Sequence, residues 1–256
     1  MKLSYINRDF LSSYILITAA AFLLLVVAIT DRRDITSASV VISAMILFLC
    51  GIFLFTFSKK ESIDDHISSL IPVQNQINFC TIISELGIMG NSWILPQNKT
   101  GKDCVMQFTP VSTYSGGTLQ GDIFVSGEEG TGILVQPTGQ TLISYLRKNA
   151  GLTIPDSEEE ILQLIKETGE ELLEIAEKIN IQKTGEGISI NLDNYLLIDG
   201  CRRITAESPA CCTLNPCSIC SLFGMILTEG LNQAVMVERC RPDKKKDRVE
   251  ILFTIS

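Results

Sequence analysis

The chain has 256 residues, a formal charge of −8 and a mean hydropathy of +0.27, high for a chain that lives in water. Its length suits one domain plus an extension. After residue 60 there are 15 Lys and Arg against 26 Asp and Glu, about −11 in all. That excess argues against nucleic acid or a flat anionic lipid surface as the partner of the folded part, since both need a basic footprint.

In chain order, the first feature is a pair of uncharged stretches, Phe10–Thr30 and Ile35–Ser58. Each is long enough to cross a hydrocarbon core of about 30 Å as a helix. Only the tetrapeptide DRRD separates them, which predicts an antiparallel hairpin with spans of about 11–30 and 36–57. A cleaved secretory signal is disfavoured, because the first apolar run is long, no A-x-A-like site follows and a second span comes at once. Lys2, Arg8, Lys59 and Lys60 on one side outnumber Arg32 and Arg33 on the other, so both termini are expected in the cytoplasm at the cell membrane. Gly51, with Ser39, Ser43 and Ala44, offers small surfaces for packing within the hairpin or for a homo-oligomer. The chain thus divides into a transmembrane hairpin, 1–60, and a cytosolic domain, 61–256.

Residues 61–90 read as helical. Ile63, Ile67, Leu70 and Ile71 share one face, Ile77, Cys80, Ile83 and Leu86 follow after Pro72, and Gly87 is a stop. Strands are expected at NSWILP and DCVMQFTP, with GDIFVSG and TGILVQP forming a hairpin. A helix capped by Thr138 or Thr141 should bury Leu142, Tyr145 and Leu146. A second starts at Ser157 with Glu160 in capping-box position and carries an apolar stripe from Ile161 through Leu172 to Ile179. Further strands are expected near 180–184, 187–193 and 195–199. A helix from about Pro216 to Glu229 follows, then the strands AVMVERC and DRVEILFTI, joined by a solvated turn at Lys244–Lys246. The fold class is α+β, with a largely antiparallel sheet and packed helices.

The segment CCTLNPCSICSLFG holds four cysteines within ten residues. Asn215 is a good helix N-cap and Pro216 suits the first helical position. Cys217 then enters the first turn, where a helix N-terminus favours the thiolate, and Cys220 follows three residues on. This C-x-x-C is half of a tetrahedral zinc site, and Cys201, Cys211, Cys212 or Cys240 would have to supply the rest. Iron–sulfur ligation needs similar numbers. The candidate metal ligands are therefore Cys217, Cys220, Cys240 and Cys201. Inert buried thiols are the leading alternative, because the same helix carries Leu222, Phe223, Met225, Ile226 and Leu227. A redox pair is the third. Cys50, Cys80 and Cys104 read as packing residues, and nine cysteines on a cytosolic face should stay reduced.

Other catalytic equipment is thin. His66 is the one histidine, and no G-x-S-x-G, H-E-x-x-H or phosphate-loop motif is present. The acidic runs read as a solvated face. This leans away from an enzyme.

The layout of hairpin, QPTGQTLISYL, Glu-rich helix and final helix–strand–strand resembles an uncharacterised membrane-anchored family of euryarchaea. That resemblance implies an archaeal location and class and nothing functional. Residues 200–256, with NPCSICSLFGMILTEGLNQAVMVERC, are similar to the end of vinyl-reductase-type ligand-binding domains. Those place a Pro-Cys at a helix start and a Glu and a Cys on the next strand, and bind zinc beside a small-molecule pocket. The resemblance implies Cys217, Glu238 and Cys240 as ligands. The family's last cysteine is missing from RVEILFTI, so Cys220 or Cys201 would replace it. The expected function is a membrane-anchored domain that binds a protein partner or small ligand, with a metal- or thiol-dependent sensor or enzyme at the cysteines as the alternative.

Overall fold

The computed structural model describes residues 8–30, 35–58, 64–185, 187–243 and 245–256. The DRRD link, Lys59, Lys60, the start of the 61–90 segment and Lys244 lie outside the described residues. The chain forms two compact units, divided between Ile63 and Asp64.

The first unit is two helices, α1 (Arg8–Thr30) and α2 (Ile35–Ser58). Both contain stretches long and apolar enough to cross a membrane, Ser12–Ile29 and Ala38–Thr56. The two helices pack on each other. Ala20 and Ala44 are fully buried, and a Cβ on Gly51 would stand 2.7 Å from Ile17 Cγ1. Gly51 and Ala44 therefore serve the contact between α1 and α2, whereas Ser39 and Ser43 are exposed. Phe22, Ile29, Met45 and Phe53 are more than half exposed, an apolar surface suited to lipid.

The second unit begins with α3 (Asp65–Leu70) and α4 (Val73–Glu85). It continues through β1 (Trp93–Leu95), the single turn α5 (Gln97–Thr100), β2 (Met106–Pro110), β3 (Phe124–Gly127) and β4 (Gly130–Val135). Helices α6 (Gln140–Ala150) and α7 (Glu158–Glu167) precede the hairpin β5 (Lys178–Thr184) and β6 (Gly187–Asp193). Then come α8 (Ile198–Glu207), the short α9 (Cys211–Leu214), α10 (Ser218–Leu231), β7 (Val235–Pro242) and β8 (Arg248–Ile255). The strands form one eight-stranded antiparallel sheet in the order β3-β4-β2-β1-β7-β8-β6-β5. The fold is the mixed, antiparallel α+β architecture that the alternation of strand and helix patterns predicts.

Helix α10 is the centre of the core. Every residue from Ile219 to Thr228 is buried, and the helix packs on β1, β7, α6 and α7. A helix that is apolar all round needs cover on all sides. Residues 211–231 are apolar enough to resemble a third membrane span, but 83% of that window is buried inside the fold.

Several local expectations change in three dimensions. The stripe Ile161–Ile179 is not one helix. α7 ends at Glu167, the chain turns once as a π-helix over Thr168–Leu172, and Ile179 lies in β5. A Cβ on Gly169 would stand 2.2 Å from Ile179 Cδ1, so the glycine lets the strand return across the turn. Ser157 is the N-cap of α7, but its side chain makes no cap hydrogen bond. In α6 the buried residues are Ile143 and Leu146, while Tyr145 is 61% exposed. Residues 195–197 are a turn rather than a strand, and α8 fills the interval up to the cysteine segment.

Candidate functional site

Five cysteines from four elements converge on one place. Cys201 comes from α8, Cys212 from α9, Cys217 and Cys220 from the start of α10, and Cys240 from β7. Cys201 interacts with Cys217, Cys217 with Cys220, Cys220 with Cys240, and Cys240 with Cys212. The Sγ atoms of Cys220 and Cys240 are 3.7 Å apart. All four expected candidate cysteines are thus brought together. Cys212, one of the residues offered to complete a site with Cys217 and Cys220, joins them. Glu238 stands apart: it sits at the β-bulge between Val237 and Arg239, is exposed, and accepts a 2.5 Å hydrogen bond from Thr254 Oγ1.

The cap of α10 differs from the expected one. The N-cap is Cys217, and Pro216 precedes it. Asn215 is buried as the C-cap of α9, where its Oδ1 accepts from Gln107 Nε2 at 3.2 Å and its carbonyl accepts from Gln76 Nε2 at 2.8 Å. A side chain so engaged is unavailable to cap the next helix. The Cys217 sulfur faces the N–H groups of Ile219 and Cys220 without a bond close enough to count as a cap.

Cys211 lies outside this cluster. It is disulfide-bonded to Cys80, 131 residues away, with the two Cα atoms 5.6 Å apart. Both were expected to stay reduced, and Cys80 only to pack. The packing of α4 on α9 brings them together. Cys104 contacts Met106 Sδ at 3.8 Å, and Cys50 is exposed on α2.

Protonation in the cluster alternates along the chain of thiols. Cys217 is drawn well below the usual thiol range, first by Cys201, then by Cys220 and by the Cys220 and Ile219 N–H groups, against the opposing effect of burial. Cys240 is drawn down to about 6 by Cys212 and Cys220. Cys201, Cys212 and Cys220 move up, first through their thiol contacts as donors and then by burial. Thiols drawn down and thiols pushed up thus alternate along the chain of contacts, so that no two neighbours are both drawn towards the charged form. Among the described residues, no group of three or more His, Cys, Asp or Glu is placed to hold a metal ion as the structure stands.

Cys201 and Cys217 also line a cavity of about 400 Å³. Its apolar wall includes Pro72, Leu197, Ile204 and Ile219, and its polar groups include Gln76, Thr138 and Tyr195. Tyr195 is buried, and burial followed by the nearby thiols raises its phenol well above 10, so it stays neutral. The helices around the cavity fit closely. A Cβ on Gly200 would stand 2.3 Å from the Ser69 carbonyl oxygen, and His66 Nδ1 is 2.8 Å from Asp199 Oδ2. His66 is thus an exposed surface residue, but a paired one that ties α3 to α8.

The QPTGQ phrase forms part of this site. Thr138 Oγ1 donates to the Pro216 carbonyl at 2.6 Å instead of capping α6, whose N-cap is Gly139. Gly139 N donates to Ser221 Oγ at 3.1 Å. A Cβ on Gly139 would stand 2.6 Å from Leu222 N, so only glycine permits this approach to α10.

Residues 40–255 match a family model described as a domain of unknown function, DUF7982, and the chain belongs to that family. No curated protein matches the chain. No solved structure matches it either.

Proposed function

We propose that the chain is a membrane-anchored domain that binds a small, mostly apolar ligand in the cavity between α4, α8 and the start of α10. The observation that carries this reading is the cavity itself, about 400 Å³ with apolar walls and a few convergent polar groups. Such volume and lining are typical of small-molecule sites. The helices α1 and α2 are read as two spans of the cell membrane, with both termini and the domain in the cytoplasm, on the Lys and Arg count. The resemblance of residues 200–256 to vinyl-reductase-type ligand-binding domains supports ligand binding next to cysteines, whereas the archaeal resemblance carries nothing functional.

The test uses full-length protein in detergent micelles and an apolar fluorophore whose emission rises on burial. Saturable binding should weaken about tenfold or more in Ile204→Trp, which fills the cavity. Binding that this substitution leaves unchanged would reject the site.

A second reading, a thiol-dependent sensor, is favoured by the convergence of five cysteines. In its metal version, Cys217, Cys220 and Cys240 with Cys201 would offer soft thiolate donors to zinc or an iron–sulfur cluster. About one metal per chain in anaerobically purified protein would favour that version, and metal-free folded protein would dismiss it.

A further inference from the structure

We propose that Cys217 and Cys220 form a dithiol–disulfide couple that exchanges with a small apolar disulfide entering the cavity. The proposal deepens the thiol-sensor reading and requires only that the cavity be accessible. Three observations converge on the pair. Cys217 occupies the N-cap of α10 and Cys220 the third helical position after it. Residues so placed on a helix have Cα atoms roughly 5–6 Å apart, within the span of a disulfide.

The second observation is asymmetry. Cys217 keeps part of its surface open and lines the cavity, whereas Cys220 is only 2% exposed. One thiol meets the incoming molecule and the other waits behind it. The third is the place of the outer sulfur at the start of the fourteen-residue helix α10, where a helix N-terminus favours negative charge on the sulfur that attacks. The apolar wall of Leu197, Ile204 and Ile219 selects an apolar disulfide over a charged one.

The step balances without another reactant. The Cys217 thiolate attacks one sulfur of R–S–S–R, breaking that S–S bond and forming a mixed disulfide while RS⁻ leaves and takes a proton from solvent. Cys220, giving up its proton, then attacks the Cys217 sulfur and expels the second RS⁻, which is protonated in turn. The protein dithiol is oxidised by two electrons to a Cys217–Cys220 disulfide, and R–S–S–R is reduced to two RSH. The Cys80–Cys211 bond takes no part.

The test uses full-length protein in detergent, in a Cys50→Ser, Cys104→Ser background, with 4,4′-dithiodipyridine as the apolar disulfide. Two equivalents of pyridinethione per chain should appear in the fast phase, and peptide mass spectrometry should show a Cys217–Cys220 link with no retained adduct. Cys220→Ser should release one fast equivalent and keep the adduct on Cys217. Cys217→Ser should abolish the fast phase, and serine is itself a good N-cap, so the helix start is preserved. Binding of the apolar fluorophore in Cys217→Ser reports on the cavity separately, so loss of exchange with retained binding supports the couple. Two fast equivalents in Cys220→Ser, adduct retained on Cys217 in the parent, or exchange that begins only after a chelator strips a bound metal would each overturn it.

Discussion

Thr138 Oγ1 donates a 2.6 Å hydrogen bond to the carbonyl of Pro216, 78 residues further along the chain. This bond holds the QPTGQ turn against the residue that precedes the Cys217 cap. With Gly139 packed on Leu222, it sets where α10 begins and where Cys217 meets the cavity.

Thr138→Val removes that donor and should cost about 1 kcal/mol. Gly139→Ala inserts a methyl against α10 backbone and should cost about 1–3 kcal/mol. Urea denaturation followed by the fluorescence of Trp93, the one tryptophan, measures both. A Gly139→Ala protein as stable as the parent would show that α6 and α10 separate without cost.

The Cys80–Cys211 link closes a loop of 131 residues. Cys80→Ala with Cys211→Ala should lower stability by about 2–4 kcal/mol under non-reducing conditions. Under reducing conditions the difference from the parent should shrink to the loss of packing alone. Digestion after thiol trapping should yield the joined peptides, and free alkylated Cys80 in freshly isolated protein would contradict the bond.

Cys217 offers a pH test. A lowered folded pKa means that the thiolate persists above that pKa and is lost as pH falls through it. Its iodoacetamide rate should therefore be nearly flat from pH 7 to 9, where an ordinary thiol with a pKa of about 8.5 still gains reactivity. Quantitative mass spectrometry of the Cys217 peptide gives the profile. A rate that climbs about tenfold per unit between pH 7 and 8 would contradict the shift.

Phe223 is fully buried at the middle of α10. Phe223→Ala should cost about 3–5 kcal/mol through lost transfer energy and the cavity left behind. The same urea curves measure it, and a loss under 1 kcal/mol would mean that α10 is less tightly enclosed than its burial implies.

Full-length protein should stay with membranes through alkaline carbonate washing, since about 20 apolar residues per helix have no comparable refuge in water. Release into the supernatant would show that α1 and α2 do not insert.

Much of the architecture was legible because it is written in local periods. The uncharged runs before residue 60, the alternation in DCVMQFTP and DRVEILFTI, and the hairpin glycines mark spans and strands from neighbouring residues alone. The expected helix through Ile179 failed where a tertiary contact overrode the period: Gly169 lets β5 cross the π turn. The N-cap expected at Asn215 failed because Gln107 and Gln76, distant in sequence, occupy its polar groups. The convergence of Cys201, Cys217, Cys220 and Cys240 was foreshadowed by composition, but their order of contact was not.

The sequence by itself determined the membrane-length helices, the antiparallel sheet and the apolar character of α10, because hydrophobic patterning acts over a few residues. Only the tertiary structure decided that Cys211 pairs with Cys80 while Cys212 faces Cys240, that Glu238 points away, and that Cys217 opens onto a cavity. Those relations depend on which helix packs on which strand. No local pattern specifies such packing, because it minimises the exposure of the whole core at once.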